Sequence, residues 1–382
     1  MMENFQYYAP TKVVFGKGTE NKAGQLVKEQ NCRKVLIHYG SGSVKRSGLL
    51  DRIFASLDEE GISYISLGGV VPNPRLSLVY EGIDLCRREG VDFILAVGGG
   101  SVIDSAKAIG YGVENEGDVW DFYERKRQAC GCLPIGVVLT IAAAGSEMSD
   151  SSVITNENGW LKRGYNSSYC RPKFAVMNPE LTMTLPKYQT ASGCVDIMMH
   201  TMERDFNHCD NMELTDGISE HLLRTVMKNA KILMDEPQCY KARAEVMWAG
   251  SLSHNGLMAC GNDGGDWACH QLEHELGGMF DVAHGAGLAA VWGSWARYVC
   301  DALPDRFEQF AVNVMGVENG DDKNAVIQKG IEAMENFFRQ IEMPTDLGGL
   351  NIEVSEDQMK ELALKCSHFG KRTIGCVKKL NQ

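Results

Sequence analysis

The chain has neither a long apolar run nor an excess of basic charge, and each absence excludes a class of protein. Its 382 residues carry 38 lysines and arginines against 50 aspartates and glutamates, a formal net charge of -12. Because phosphate contacts need clustered basic residues, we expect no nucleic-acid partner. The longest apolar run, residues 131–145, is short and interrupted by Pro134 and Gly136. We therefore expect no membrane partner.

The sequence also lacks two further patterns, a secretory signal and paired cysteines. Its first ten residues have no basic segment followed by an apolar one. The cysteine count of 13 is odd, the spacings are irregular, and no Cys-x-x-Cys occurs. Such a pattern excludes a disulfide framework and favours reduced, mostly buried thiols. We expect a cytoplasmic protein.

Short apolar runs alternate with helical patterns in the first half of the chain. The runs that predict strands are residues 34–39, 62–67, 92–97 and 133–140. Amphipathic stretches at 45–59 and 76–89 lie between them and predict helices. Continuously apolar strands that alternate with helices are typical of a parallel sheet covered on both faces. The sequence therefore predicts a doubly wound, Rossmann-like α/β domain.

Helical periodicity replaces the strand pattern in the second half, as in residues 214–234 and 324–341. The change falls near Pro186, after a segment punctuated by Asn-Pro and Leu-Pro. We expect an α/β dinucleotide-binding domain at 1–186 and an all-helical, metal-binding domain at 187–382. Small ligands often bind in the cleft between two such domains, which is where we expect the site.

Two glycine turns indicate a nucleotide. Residues 92–110 read as a strand that ends in Gly98, Gly99 and Gly100, then Ser101, then a helix. Glycines there let the backbone approach a diphosphate at the helix N-terminus. The spacing is not G-x-G-x-x-G, and a tight strand-to-helix corner explains the glycines equally well.

The second turn indicates which dinucleotide is bound. After the first clear strand the chain has Gly40, Ser41, Gly42 and Ser43 where NAD-selective enzymes commonly place an acidic residue. Lys45 and Arg46 follow this turn. Small hydrogen-bond donors beside cations suit a 2'-phosphate, so NADP(H) is favoured over NAD(H). A solvated loop with two surface charges is the alternative.

Histidines and one aspartate form a candidate metal site. Asp196 and His200 are four residues apart on a predicted helix with apolar neighbours, and hence on one face. His270 and His274 share another helical face, and His284 follows after a break. The candidate ligands are Asp196, His200, His270 and His284, an oxygen and nitrogen set that suits Fe2+ or Zn2+.

The segment "HQLEH", residues 270–274, also fits the H-x-x-E-H pattern of inverted zinc hydrolases, with Glu273 as the base. This hypothesis leaves both glycine turns and the Asp196 and His200 pair unexplained. It therefore remains a remote alternative.

Motifs along almost the whole chain resemble the iron-containing (group III) alcohol dehydrogenase family, most closely its NADPH-dependent butanol dehydrogenase branch. They include "FGKGT" (15–19), "GGGSVIDSAKAI" (98–109), "LPKYQTASGCVDIMMHTME" (185–203) and "GGDWACHQLEHELGGMFDVAHGAGLA" (264–289). The resemblance implies a catalytic divalent metal held by Asp196, His200, His270 and His284, which leaves His274 beside the metal and available for catalysis. It also implies cofactor contacts at Ser43, Asn73, Gly99, Gly100, Ser101, Asp104, Thr140 and Lys162.

The expected activity is hydride transfer between NAD(P)H and a short- to medium-chain primary aldehyde such as butanal. A bound metal would polarise the carbonyl, and His274 is the candidate for proton transfer. A homodimer is expected from the family. An NAD-dependent polyol dehydrogenase or a cyclising synthase of the same superfamily is the alternative.

Overall fold

The central sheet of the computed structural model is built from short, apolar strands. The model describes residues 1–381. The strands are β1 (Lys12–Phe15), β2 (Lys34–Gly40), β3 (Ser63–Val70), β4 (Phe93–Gly98), β5 (Ile135–Leu139), β6 (Ser151–Asn156), β7 (Leu161–Asn166) and β8 (Phe174–Met177). Within the described chain, six of them form a parallel sheet in the order β1-β8-β5-β4-β2-β3, and β6 and β7 form an antiparallel hairpin.

Helices cover both faces of this sheet, as continuously apolar strands require. They are α1 (Ala23–Lys28), α2 (Ser43–Arg46), α3 (Leu49–Glu59), α4 (Leu76–Glu89), α5 (Gly100–Glu114) and α6 (Trp120–Tyr123). Apolar residues of α1 and α3 pack on alternate residues of the strands, such as Val35 and Ile37. Helices α4 and α5 pack on each other and on the sheet. The α/β expectation is therefore confirmed.

The strand order creates a switch point between β2 and β4. From β2 the chain moves outward to β3, and it then returns through α4 to β4 on the other side of β2. Tyr39 near the end of β2 is in register with Val97 of β4, and Gly98 is in register with Leu139 of β5. Ligands of open α/β sheets bind outside the carboxyl ends of strands at such a point.

The remaining part of the chain is helical. Its helices are α7 (Lys187–Asp205), α8 (Glu213–Asp235), α9 (Tyr240–His254), α10 (Ala268–Phe280), α11 (His284–Val299), α12 (Pro304–Asn313), α13 (Lys323–Gln340) and α14 (Glu356–Cys366). Helix α7 begins directly after Pro186 and is buried around its whole circumference from Thr190 onward, which marks it as a core helix. No helix within residues 1–381 combines the length and apolarity needed to cross a membrane.

Two compact units divide the structure. One comprises Ala9–Thr184, and the other comprises residues 1–8 together with the described chain from Leu185 onward. The eight N-terminal residues thus belong to the helical unit, where the backbone N–H of Glu3 donates to Gly261. The sheet and the nucleotide motifs lie in the first unit, and the aspartate and histidine constellation lies in the second.

Candidate active site

Helix α7 carries an aspartate and a histidine one turn apart inside an apolar environment. Asp196 and His200 each expose about a twentieth of their side chains, and Asp196 Oδ1 lies 3.2 Å from His200 Nδ1. Their neighbours Val195, Ile197 and Met199 are fully buried. A carboxylate in such surroundings is costly unless positive charge or hydrogen-bond donors meet it.

Two further histidines reach the same carboxylate from α10 and α11. His270 Nε2 lies 3.8 Å from Asp196 Oδ1, and His284 Nε2 lies 3.6 Å from it. Helix α11 comes this close to α7 because residue 285 is glycine: a Cβ there would lie 1.9 Å from the carbonyl oxygen of Ser192. The fold thereby brings together side chains that are some seventy to ninety residues apart.

Donor atoms of Asp196, His270 and His284 lie within 4.8 Å of one another, a compact group that suits a metal ion. His200 contacts Asp196 but lies outside this compact group. Of the four predicted ligands, the structure therefore brings three to one point and holds the fourth beside them.

Buried atoms at this point lack hydrogen-bond partners. Asp196 Oδ1, His200 Nδ1 and His270 Nε2 are all inaccessible to water and accept or donate no hydrogen bond. Buried polar atoms of native proteins nearly always have a partner, so each such atom needs an explanation. One carboxylate oxygen and imidazole nitrogens are ligands that Zn2+ and Fe2+ accept. The residues present fit a divalent metal.

The electrostatics favour a cation at the same place. Burial lowers the pKa of His200 to about 3. Burial acts to raise the pKa of Asp196, but the His200 and His284 rings hold it well below its usual value. Burial acts to lower the pKa of His270, yet the Glu203 and Asp196 carboxylates raise it to about 9. Carboxylate charge thus attracts positive charge to the centre of the group.

Two carboxylates contact the candidate ligand histidines, and these contacts were not predicted from the sequence. Glu203 contacts His270 Nδ1, and Glu273 contacts His284 Nδ1. Each glutamate follows a candidate ligand by three residues, Glu203 after His200 and Glu273 after His270, and this spacing was the available signal. The sequence suggests Glu273 only as the base of a hydrolase, whereas its contact with His284 makes it a partner of a predicted ligand.

His274 lies beside the group. Its ring centre is 5.9 Å from that of His284 and 6.5 Å from that of His270, and its side chain is half-buried. Its nitrogen can also form a second compact set with Glu273 and His284. Within this second set, Glu273 and His284 are in direct contact.

The predicted cofactor residues follow the carboxyl ends of neighbouring strands. Gly40 ends β2, Gly99 and Gly100 follow β4, and Thr140 follows β5, where its N–H donates to Gly98 at 3.0 Å. Ser41 and Gly42 form the turn after β2, and Ser43 is the first residue of α2. Ser101 lies in the first turn of α5, where backbone N–H groups lack partners within the helix. The positions after β2 and β4 lie at the β2/β4 switch point, and Thr140 follows the neighbouring strand β5.

The glycines after β4 are also required by packing. A Cβ on Gly99 would lie 2.9 Å from the Ile141 side chain, and one on Gly100 would lie 3.0 Å from Ala144. The tight-corner explanation is therefore supported by the packing, and nucleotide binding at these glycines stays a prediction.

Two other predicted cofactor residues, Asn73 and Lys162, are buried, and Asp104 is partly buried. Asp104 accepts from the Ser146 hydroxyl at 2.6 Å and from the Val153 N–H at 2.9 Å. Burial raises the pKa of Asp104, against the opposing influence of Lys107 and Lys162. Asn73 adopts a left-handed conformation with φ 52°. Its role and that of Lys162 in cofactor binding stay predictions.

A doubly wound sheet with glycine turns at its switch point, together with a helical unit that holds a carboxylate and histidine cluster, defines a metal-dependent nicotinamide oxidoreductase. The chain belongs to the iron-containing alcohol dehydrogenase family. Residues 10–179 match the model "Iron-containing alcohol dehydrogenase", and residues 190–371 match "Fe-containing alcohol dehydrogenase family, C-terminal".

Individual relatives match over nearly their full length. The chain is 40% identical to NADH-dependent butanol dehydrogenase A of Clostridium acetobutylicum, covering 100% of this chain and 97% of the relative. It is 34% identical to the NADPH-dependent aldehyde reductase YqhD of Escherichia coli, covering 98% and 95%. The crystal structure of NADH-dependent butanol dehydrogenase A from Thermotoga maritima superposes with a TM-score of 0.96 at 40% identity, covering 100% and 96%. The resemblance to the iron-containing alcohol dehydrogenase family is confirmed, and the matching butanol dehydrogenases are named NADH-dependent.

Proposed function

We propose that this enzyme interconverts short- to medium-chain primary aldehydes and alcohols, with butanal and butanol as representative substrates. The observation that carries the proposal is the convergence of Asp196, His270 and His284 on one point, where Asp196 Oδ1 and His270 Nε2 are buried without a hydrogen-bond partner. The relatives named as butanol dehydrogenase and aldehyde reductase support this substrate class. The contact between Glu273 and His284 argues against the hydrolase alternative, because it engages the residue that would act as base.

Asp196, His200, His270 and His284 would hold the metal, Fe2+ or Zn2+. When bound, the ion supplies Lewis-acid polarisation of the substrate carbonyl and stabilises negative charge on its oxygen. The chain's own contribution is to fix the ligands in a dry, apolar environment, where electrostatic interactions are stronger than in water. Met198 and Met199, which flank the site on α7, are fully buried and exclude water.

His274 is proposed to move the proton. An imidazole titrates near neutral pH and is therefore suited to deliver a proton to a developing alkoxide. Its half-buried position next to His284 supports this role, either directly or through water and the cofactor ribose.

The cofactor is proposed to be NADPH in preference to NADH. No acidic residue occurs in residues 40–46, and Lys45 and Arg46 belong to the short helix that starts at Ser43. Lys45 lies over the Tyr39 ring, 5.1 Å from its centre, which keeps its charge near the end of β2. Relatives with both cofactor names exist: the butanol dehydrogenases are named NADH-dependent and the aldehyde reductase NADPH-dependent. The choice therefore depends on this chain's own turn.

A steady-state assay at 340 nm tests both parts of the proposal. NADPH and NADH are each oxidised with butanal and with dihydroxyacetone, after Fe2+ or Zn2+ has been supplied under anaerobic conditions. We expect a higher kcat/KM for butanal than for dihydroxyacetone, and for NADPH than for NADH. A preference for dihydroxyacetone would favour the polyol dehydrogenase alternative, and a preference for NADH would contradict the cofactor proposal alone.

The proposal also covers the location of the protein in the cell, its assembly and the distribution of its binding residues along the chain. We infer a cytoplasmic homodimer, with dinucleotide contacts in residues 1–186 and metal contacts in residues 187–382. Light scattering of the purified protein and cell fractionation test its assembly and location.

A further inference from the structure

Two fully buried glutamates lie behind the candidate ligand histidines. The side chains of Glu203 and Glu273 are 1% and 0% exposed. Burying a carboxylate is costly unless hydrogen-bond donors or positive charge meet it. Each contacts the Nδ1 atom of one histidine, Glu203 that of His270 and Glu273 that of His284.

These contacts determine which ring nitrogen faces Asp196. When Nδ1–H donates to a carboxylate, the proton of the neutral ring stays on Nδ1, and the lone pair is on Nε2. The Nε2 atoms of His270 and His284 are the ones that approach Asp196 Oδ1, at 3.8 and 3.6 Å. Both rings thus offer Nε2 to a cation at the same point, where the cation would replace the second proton of His270.

The two glutamates also connect three helices in sequence. Glu203 of α7 accepts from the backbone N–H of His270 at 3.1 Å as well as contacting its ring, which ties α10 to α7. Glu273 of α10 contacts the ring at the start of α11. Helix α7 therefore supplies the carboxylate that contacts the histidine of α10, and α10 supplies the carboxylate that contacts the histidine of α11.

Gly287 leaves the room that Glu273 needs. A Cβ at position 287 would lie 2.8 Å from Glu273 Cγ and 3.3 Å from its Oε1. The backbone of α11 thus forms one wall around the glutamate, and an added methyl group would displace it.

We propose that Glu203 and Glu273 are positioning residues that hold His270 and His284 with Nε2 directed at the metal. The inference rests on the proposed metal site. Carboxylates that accept a hydrogen bond from a ligand histidine fix its tautomer and orientation. Their loss typically weakens metal binding about 10- to 100-fold.

The test measures Zn2+ release from the loaded enzyme to an excess of chromogenic chelator. E203Q and E273Q keep the side-chain shape and remove the charge, and we expect each to release Zn2+ about 10 to 100 times faster. E335Q is the matched control: Glu335 is a mostly buried glutamate of α13 that pairs with Arg297 at 2.5 and 2.7 Å. The rate of Zn2+ release from E335Q should stay within about twofold of that of the unmodified enzyme. The ion pair that E335Q removes is partly exposed and contributes little beyond its own two residues.

A second variant and a second readout separate positioning from folding. G287A should also accelerate release, because it acts on Glu273 without changing a polar group. The melting temperature of the metal-free variants should stay near that of the unmodified protein, while the rise on metal addition shrinks.

Release rates unchanged in E203Q, E273Q and G287A would overturn the inference. H270A and H284A distinguish this result from failure of the site itself: if both still bind Zn2+ like the unmodified protein, the proposed ligand set is wrong. If they lose Zn2+ while both glutamine variants keep it, only the positioning role is refuted.

Discussion

Buried imidazoles in this chain differ in what surrounds them, and that difference distinguishes a histidine with a structural role from the candidate ligands. His38 is fully buried, and its two ring nitrogens contact the Leu67 carbonyl and the Ser105 hydroxyl, both at 2.9 Å. His270 is also buried but has one nitrogen on Glu203 and the other without a hydrogen bond. A satisfied ring needs no ligand, whereas an unsatisfied nitrogen beside a carboxylate indicates one.

Replacing His274 with alanine should lower kcat about 100- to 10,000-fold at neutral pH, the range that a lost general acid commonly costs. The metal content should stay at that of the unmodified enzyme, because His274 is not among the four proposed ligands. Steady-state kinetics and elemental analysis of the same preparation check both points. Loss of the metal from H274A would make His274 a ligand and refute its assignment as proton donor.

His38 should make stability fall as the pH is lowered from about 6.5 to about 4. Burial lowers its pKa from 6.5 to about 4, so the unfolded chain takes up a proton in this window and the folded one does not. The contribution of His38 to the free energy of unfolding is therefore complete above pH 6.5. It is lost, by about 3 kcal/mol, as the pH falls to about 4.

The measurement is urea unfolding at pH 7.0 and pH 4.5 for the unmodified protein and for H38Q. Glutamine can donate to Leu67 and accept from Ser105 without titrating, so H38Q should lose less stability between the two pH values. An equal loss in both proteins would show that His38 does not titrate as described.

At the scale of elements, α5 is fastened to the loop and strand that follow β5 by one lysine. Lys107 Nζ donates to the carbonyls of Ser146, Ser149 and Ser151 at 2.7, 3.0 and 2.8 Å, and its side chain is completely buried. The ammonium group also offsets the charge of Asp104, one turn earlier on α5. This lysine therefore fixes the loop that lies beside the glycine turn of β4.

K107M should destabilise the protein by about 3 kcal/mol, because three buried carbonyls and one carboxylate lose their cation. Urea unfolding of K107M checks this value. K126M is the control: Lys126 is exposed and pairs with Glu124 at the surface, so its loss should cost less than about 1 kcal/mol. Similar losses of unfolding free energy in the two variants would contradict the role of Lys107 in holding this loop.

Elements with a strong pattern were predictable, and short ones were not. The helix predicted at 76–89 occurs as Leu76–Glu89, and the strand predicted at 34–39 occurs as Lys34–Gly40. The edge strand β1 and strand β8 have four residues each, and too few apolar positions to distinguish a strand from a loop. Their pairing with each other joins residues about 160 positions apart, which no local pattern contains.

Residues of the candidate site could be predicted where they lie close together in the sequence. Asp196 and His200 lie one helical turn apart, and the glycine turns follow apolar strands, so both features stand out in the sequence. The carboxylate behind His270 is Glu203, 67 residues earlier, and this contact exists only after α7 and α10 have packed. The switch point between β2 and β4 likewise follows from strand order, which the alternating pattern leaves open.

At the scale of the whole molecule, the two units carry separate parts of the chemistry. The nucleotide motifs lie on the parallel sheet of Ala9–Thr184, and the carboxylate and histidine cluster lies on α7, α10 and α11 of the helical unit. Membership of the iron-containing alcohol dehydrogenase family is supported along both units, by separate models for residues 10–179 and 190–371. The central claim is that one divalent metal on the helical unit makes the molecule an aldehyde reductase.

The most direct test titrates metal-depleted enzyme anaerobically with Fe2+ or Zn2+ and measures bound metal and NADPH oxidation by butanal in the same samples. We predict that both rise together and level off at about one ion per chain, as a single four-ligand site requires. H284A should bind less metal and show correspondingly less turnover. Full turnover in the chelator-treated protein, or unchanged metal binding in H284A, would contradict the account.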